Sequence, residues 1–573
     1  MRTALSVLCL LSVAAGVMLG QPTITPGSVV NAASYAQPGL PNYGVAQGGV
    51  FILKGQNLGA SGIVTASSFP LQTKMGGSSM KITIQGRSFD VLMVYVVAGQ
   101  SSLGYDQLAG IVPSNVPAGS HLITVTYNGQ TSKTEPITVV PSAFGIFTID
   151  QAGTGPGVFT DPSYNVNTLV NVAHPNDQFF IWGTGLGPIS SSDAGIPPVG
   201  NLDVPVEVYV GNIKAQIGYQ GRSGCCAGLD QILITVPSGV TGCYVPVAVK
   251  IGNIVSNFVT MSIAESGTVC SDPTGYAAAD LARPQDHLSL NEADINLSRL
   301  SLNLNIPGTG TIISNVDQGE GHFRTIPYSG LLGVTGGSVA TFHGFPSVGC
   351  SVVPYTPKSQ NFFDNFLKGA QDPGYNAGDA GPVLNFTGPN GSRQLAQTSD
   401  GGPAYELPSN TFFGGGLPPN VTPDYLSPGN YTLDDGNGGT GNGGIGVFSA
   451  MLTIPVMQVT WTAQDAVNSI SRSQDLTLTM NGSGPVAIEG NSSNAQAGAG
   501  FYCTAPPGTT SFTVPAWVLS ALPASAQAAD FPVAIGYLSV GTALSTPARF
   551  LASGVDAGFF NWGTLQVKNV VYQ

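Results

Sequence analysis

Gly48-Gly49-Val50-Phe51-Ile52-Leu53-Lys54-Gly55-Gln56-Asn57-Leu58-Gly59 is a short apolar run that ends in a glycine-punctuated turn. It is too short for a typical helix and reads as a buried strand leaving a sandwich core. The pattern recurs as Asp177-Gln178-Phe179-Phe180-Ile181-Trp182-Gly183-Thr184-Gly185-Leu186-Gly187. Working outward extends the match. Gly55 corresponds to Gly183, and Ile82-Thr83-Ile84 to Val208-Tyr209-Val210. Asp106-Gln107 corresponds to Asp230-Gln231, and Val112-Pro113-Ser114 to Val236-Pro237-Ser238. The offset drifts (183 − 55 = 128, 230 − 106 = 124), as loop insertions and deletions make it do. A repeat this long is a duplicated domain, because solenoid units run about 20–50 residues.

Within each copy the strand signal has period two. Ile123, Val125 and Tyr127 share one face before Asn128-Gly129, a dipeptide that tolerates two positive φ angles and closes a tight hairpin. Val206, Val208 and Val210 alternate in the same way before Gly211-Asn212. Short alternating strands with a turn every ten or so residues predict antiparallel sandwiches, over 24–142 and 143–265.

Gly-x-x-Phe-x-x-x-Gly-x-Asn-Leu-Gly, then Ile-x-Ile-x-Gly and Val-Pro-x-x-x-x-x-Gly, resembles the IPT/TIG immunoglobulin-like domain. Val30-Asn31-Ala32-Ala33-Ser34-Tyr35, Cys225-Cys226-Ala227-Gly228-Leu229-Asp230-Gln231, Gly242-Cys243-Tyr244-Val245-Pro246-Val247 and Cys270-Ser271-Asp272 are more particular. They resemble an uncharacterised family of large secreted bacterial proteins built from such modules. The likeness spans about residues 24–273 and implies an Ig-like sandwich with an exported, binding or architectural role. It carries no catalytic residues. The first copy lacks the cysteines, so any disulfide role belongs to the second.

Residues 266–292 read as a linker, with two helical turns expected from Tyr276 to Arg283 before Pro284. Strand patterning resumes with Ile295, Leu297, Leu300, Leu302 and Leu304, giving a β-rich module over 293–458. There Leu426-Ser427-Pro428-Gly429-Asn430-Tyr431-Thr432-Leu433 reads as a turn and strand with Tyr431 inward, and Gly436–Gly446 as a long loop. A last Ig-like sandwich is expected over 459–573. Leu476–Met480 is its strand, Asn481-Gly482 its hairpin dipeptide, and Val514–Leu519 a short helical turn. The fold class is all-β, tandem Ig-like sandwiches.

Composition narrows the setting. Residues 1–20 read as a secretory signal: Arg2 is the positive n-region, Ala4–Val13 the apolar run, and Ala14-Ala15-Gly16 or Gly20 the cleavage region. That run is shorter than the roughly 20 residues that span a bilayer, and no later stretch does so, so no transmembrane segment is expected in the mature chain. Charged residues are 9%, with 18 Lys+Arg against 31 Asp+Glu and a net charge of −13. That balance disfavours nucleic acid, whose binding needs clustered cations. Removing Cys9 with the signal leaves Cys225, Cys226, Cys243, Cys270, Cys350 and Cys503. An even count in an exported chain favours disulfides over zinc. Two local bonds are expected between 225 and 270, leaving Cys350 and Cys503 to pair; the connectivity among the first four stays open.

Candidate chemistry is sparse. Glu320, His322 and Arg324, with His343 downstream, group acid, imidazole and cation, but a hydrolytic site needs a further oriented group. The other histidines are His121, His174 and His287. No Gly-x-Ser-x-Gly elbow is present. Gly183-Thr184-Gly185-Leu186-Gly187 mimics a dinucleotide loop, but Pro188 and a serine run follow where a helix must start. Asp434, Asp435 and Asn437 could offer oxygens to calcium, yet the EF-hand spacing and distal glutamate are absent, and a solvated hairpin loop is expected instead. Asp364, Asp372 and Asp379 could supply paired carboxylates for glycoside hydrolysis. Trp182 and Trp461 read as core. Tyr105, Tyr219, Tyr375, Tyr405 and Tyr425 sit in loop-like contexts that could serve a glycan. No catalytic residue and no cofactor are expected. The reading is a secreted or surface-associated, non-enzymatic protein with an extracellular protein or polysaccharide partner. A carbohydrate-binding protein and a hydrolase acting through 293–458 are the alternatives.

Overall fold

The computed structural model describes residues 20–100, 104–149, 151–271, 279–280, 289–306, 310–327, 348–357, 378–398, 404–406, 425–439, 444–456, 459–529, 533–543 and 547–573. The signal segment, His287, His343, Asp364, Asp372 and Tyr375 lie outside the described residues, as does most of the helix expected at 276–283.

The first module is a sandwich of two sheets. One runs in the order Thr23–Ile24, Val50–Gln56, Asp106–Ile111, Leu92–Ala98, Gly62–Thr65; the other runs Val45–Ala46, Glu135–Val140, Gly119–Tyr127, Ser78–Ile84, Arg87–Asp90. Phe51, Leu53, Leu108, Met80, Ile82, Ile123 and Val125 meet between them. Asn128 (φ 49°) and Gly129 (φ 78°) make the expected hairpin turn. The second module repeats the plan. Gln178–Thr184 sits between Gly145–Ile146 and Asp230–Thr235 in one sheet, and Val206–Val210 pairs Gly242–Ile251 in the other. In each copy a glycine lets a strand cross closely: a Cβ at Gly55 would strike the Thr23 carbonyl, and one at Gly183 the Gly145 carbonyl.

The rest of the chain is built differently from the first two modules. Described strands from before and after 458/459 share one sheet. Among the described residues the strands Ser289–Ile306 and Val555–Tyr572 lie parallel at the centre of a 14-stranded sheet that takes in strands from both expected modules. The reason lies in the apolar pattern: both strands are too long for one small sandwich, and their buried residues enter several separate cores. Asn481-Gly482 does not close a hairpin either. Leu476–Asn481 pairs Thr460–Trp461 and Ser511–Val514 in a three-stranded sheet, whereas Val486–Ser493 joins the large one. Leu478 and Met480 face Val486 and Ile488 across a shared core, so the chain crosses the core at that turn. Tyr431 is inward, as expected; its hydroxyl donates to Ser427 O at 3.0 Å and accepts from Ser427 N at 2.8 Å. Cys225 is bonded to Cys226, Cys243 to Cys270 and Cys350 to Cys503. The last pair sits directly opposite in the sheet register.

Candidate binding surfaces and the module junction

The quoted glycine turns are held by a carboxylate that both copies share. Asp106 accepts the amides of Leu58 at 2.9 Å and Gly99 at 2.8 Å. Asp230 accepts those of Gly185 at 2.7 Å and Leu186 at 2.8 Å. Those amides are therefore not offered to a phosphate, which removes the dinucleotide mimicry structurally as well. Asn57 takes the positive φ (56°) that Gly185 takes in the second copy (106°).

The second copy adds a cation. Arg222 and Asp230 form a fully buried ion pair. Arg222 also donates to Gly187 O at 2.6 Å and, across the module boundary, to Gly48 O at 3.2 Å. Burial pushes the Asp230 carboxyl up, while Arg222 and the two amides oppose that shift. More contacts close the junction. Asn31 donates to Ala143 O at 2.9 Å, Val50 N to Thr184 Oγ1 at 2.8 Å, and Ser114 N and Oγ both to Asp193 at 2.7 Å. The Cys225-Cys226 loop is wedged beside it, since a Cβ at Gly228 would press on Val50 and Ile111. A second junction is aromatic. Trp517 of the expected short helix stacks on Tyr209 at 4.4 Å and on Phe258 at 5.6 Å, fixing the second module to the C-terminal body.

Away from the junctions, the outer face of the second module carries rings. Phe179 and Ile181 point into the core, so alternation turns Phe180 and Trp182 outward. Tyr164, 65% exposed, joins them from a turn. Its ring lies 6.4 Å from Phe180 with planes 12° apart and 6.2 Å from Trp182, and Phe180 and Trp182 are 6.2 Å apart. Trp182 Nε1 donates to Thr160 Oγ1 at 2.8 Å, which fixes the indole, and Gln231 stands opposite it in the register. Trp461, by contrast, is core, so the expectation for Trp182 is corrected. The alternation Phe179, Ile181, Gly183 was the signal that could have placed Phe180 and Trp182 outside.

The other candidates disperse. Tyr425 is not a loop platform: it is buried, donates to Gly391 O at 2.5 Å and lies under Arg393. Tyr105 lies under Lys54, and the Tyr219 hydroxyl donates to Arg222 O at 2.6 Å. Tyr405 lies in the strand Ala404–Glu406. Glu320, His322 and Arg324 fall on one side of the strand Gly310–Pro327, opposite Asn296, Asp294 and Glu292, and Arg324 reaches Glu292 at 3.6 Å. Asp434 accepts Asn385 Nδ2 at 3.1 Å and Gly436 N at 3.0 Å, while Asp435 is buried and accepts Phe448 N at 3.0 Å. The two carboxylates thus serve their own turn; Asn437 is exposed beside them. Asp379 caps Gly381 N at 2.9 Å. Among the described residues no group of three acid, His or Cys side chains could hold a metal ion, and no helix is long and apolar enough to cross a membrane.

The sequence matches no family model and no curated protein. Among solved structures, domains 5-6 of the S-layer protein SbsC align at 15% identity and TM-score 0.16, over 43% of this chain and 99% of that one. The Bacteroides ovatus mixed-linkage glucan utilization locus protein SGBP-B, solved with a mixed-linkage heptasaccharide, aligns at 12% identity and TM-score 0.19, over 48% and 62%. Tandem Ig repeats of Dlar align at 11% and 0.12, over 43% and 96%. The chain is a nearly all-β array with tandem Ig-like sandwiches.

Proposed function

We propose that this chain is an exported, surface-associated binding protein without enzymatic activity, a secreted IPT/TIG-type array that recognises polysaccharide through the outer face of its second module. The observation that carries the reading is the set Tyr164, Phe180 and Trp182, three solvent-facing rings within 6.4 Å of one another on one sheet face. Sugar rings present C–H faces that pack on aromatic rings, and Gln231 beside the indole offers the amide that hydroxyl groups need. The module junction supports the same role, because hydrogen-bonded modules hold such a surface at a fixed angle to the body.

The test is retention of the purified mature chain on insoluble polysaccharides and a soluble glycan panel. Parent protein is retained by at least one polysaccharide. The double variant F180A/W182A loses about tenfold or more in affinity, at roughly 1–3 kcal/mol for the lost ring contacts, with unfolding unchanged. Equal retention of parent and variant, or none by either, overturns the reading.

A further inference from the structure

The bonded cysteines are of two kinds. Cys243, Cys270, Cys350 and Cys503 are at most 2% exposed, and their bonds tie positions 27 and 153 residues apart. Bonds of that span remove chain entropy from the unfolded state and so stabilise a fold. Cys225–Cys226 instead joins neighbours in sequence. It closes no loop beyond the peptide between them, so the same gain is smallest there. Cys225 is exposed and Cys226 half-buried, which leaves this bond open to attack from solvent. The first copy shows that the sandwich forms without it. Asp106 aligns with Asp230 (230 − 106 = 124), and at that offset Ser101-Ser102 stand where the second copy has Cys225-Cys226 (225 − 101 = 124).

The surroundings of the bond give it another purpose. The bond and the peptide between its cysteines close one small ring, which fixes the backbone at the head of the loop between Gln216–Arg222 and Asp230–Thr235. The ring's own carbonyl anchors the loop: Cys226 O accepts Leu229 N at 3.3 Å and Ser223 Oγ at 3.4 Å, and Ser223 N donates to Leu229 O at 2.8 Å. That turn holds Gly228, at φ 72°, against Val50 and Ile111 of the first module. Gly228 O accepts Thr184 Oγ1 at 2.7 Å, and Thr184 Oγ1 in turn accepts Val50 N at 2.8 Å. An unbroken run of contacts therefore leads from the disulfide ring across the module junction.

We propose that Cys225–Cys226 is a thiol-exchange site, and that its reduction by an external dithiol loosens the junction between the first two modules. One thiolate of the dithiol attacks the exposed Cys225 Sγ; a mixed disulfide forms, the Cys225–Cys226 bond breaks, and Cys226 leaves as a thiolate. The second thiolate of the dithiol then attacks the dithiol's own sulfur in that mixed disulfide and expels the Cys225 thiolate. Ser223 Oγ, 3.5 Å from Cys225 Sγ, is placed to donate to it. The dithiol loses two electrons and becomes a disulfide, the cysteine pair gains them, and the two protons of the dithiol end on the cysteines. The polysaccharide reading plays no part in this exchange, so the two stand or fall separately.

The test is timed reduction of the full mature chain with dithiothreitol. Free thiols are alkylated and located by peptide mass spectrometry, and amide hydrogen exchange is followed on the reduced chain before alkylation. Cys225 and Cys226 become labelled together, roughly tenfold or more faster than the other four cysteines. The Val50 amide then exchanges roughly tenfold or more faster, while Ile123 and Val125 in the core of the first module are unchanged. Reoxidation with oxidised glutathione reverses both effects. C225S/C226S, which writes the first copy's serines into the second, exchanges fast at Val50 without reductant and does not respond to it. Because reduction is read on the parent chain, misfolding of that variant does not spare the proposal. Equal labelling rates for all three pairs, failure of Cys225 and Cys226 to label, or unchanged exchange at Val50 in the reduced chain overturns it.

Discussion

Ile52 and Lys54 of the first module occupy the positions that Phe180 and Trp182 occupy in the second. In the first, Ile52 is covered by Val30, Ala109 and the half-buried Tyr35, Tyr43 and Tyr95, and Lys54 extends over Tyr105 at 4.5 Å. In the second the same outward positions carry open rings. Inward positions and the carboxylate that locks the glycine turn are alike in both copies, down to the leucine amide each aspartate accepts. The duplication thus separates two tasks: the inward pattern and the locked turn specify the sandwich, and the outward residues are free to become a surface.

The locked turn also differs, and breaking it yields the largest expected effect. R222M strands Asp230 in a buried junction and costs about 3–5 kcal/mol in denaturant unfolding. D106N in the first module removes a carboxylate that, among the described residues, pairs with backbone amides and no cation, and costs about 1–2 kcal/mol. If the two variants cost the same, the added arginine is not what distinguishes the second copy. Exchanging outward residues sharpens the comparison next. W182K leaves stability within about 0.5 kcal/mol but abolishes polysaccharide retention, whereas K54W in the first module gains none. A stability loss well beyond that in W182K would make the indole a structural residue.

The smallest effect is in acid. Glu207 is held down to about 2 by Lys214 and Lys250, whose ammonium groups lie at 2.8 and 2.7 Å. A depressed carboxyl stabilises the fold above its ordinary value of 4.5 and loses that contribution as pH falls toward 2. With solvent screening the loss is about 1 kcal/mol. The matching site in the first module is Lys81–Asp90 at 3.5 Å, more than half exposed, and contributes little. Acid titration of E207Q beside the parent reads the difference; parallel curves would remove it.

Much of this architecture was legible because period-two patterning and turn dipeptides act locally. Val208, Val210, Ile123 and Val125 are core, and Asn128-Gly129 turns where its chemistry demands. Tyr431 was legible for the same reason. What failed was non-local. Asn481-Gly482 carries the same dipeptide signal but joins two different sheets, since pairing there is decided by a core the dipeptide does not see. Tyr425 stands in a loop-like stretch yet is buried, held under Arg393. The surfaces were hidden for a third reason. Phe180 and Trp182 look like core when read as one apolar run, and only the alternation of their neighbours into the sandwich turns them outward.

The parallel pairing of Ser289–Ile306 with Val555–Tyr572 has a kinetic consequence. The Asn291 amide meets the Asp556 carboxylate 265 residues further along the chain. Loops that long close slowly and form late, whereas each Ig-like module pairs its strands within its own stretch. The amino-terminal pair can pair its own strands as soon as it emerges, while the central strand waits for the last residues. Shortening the carboxyl terminus by a single strand should therefore leave the first two modules folded, with the large sheet lacking its middle.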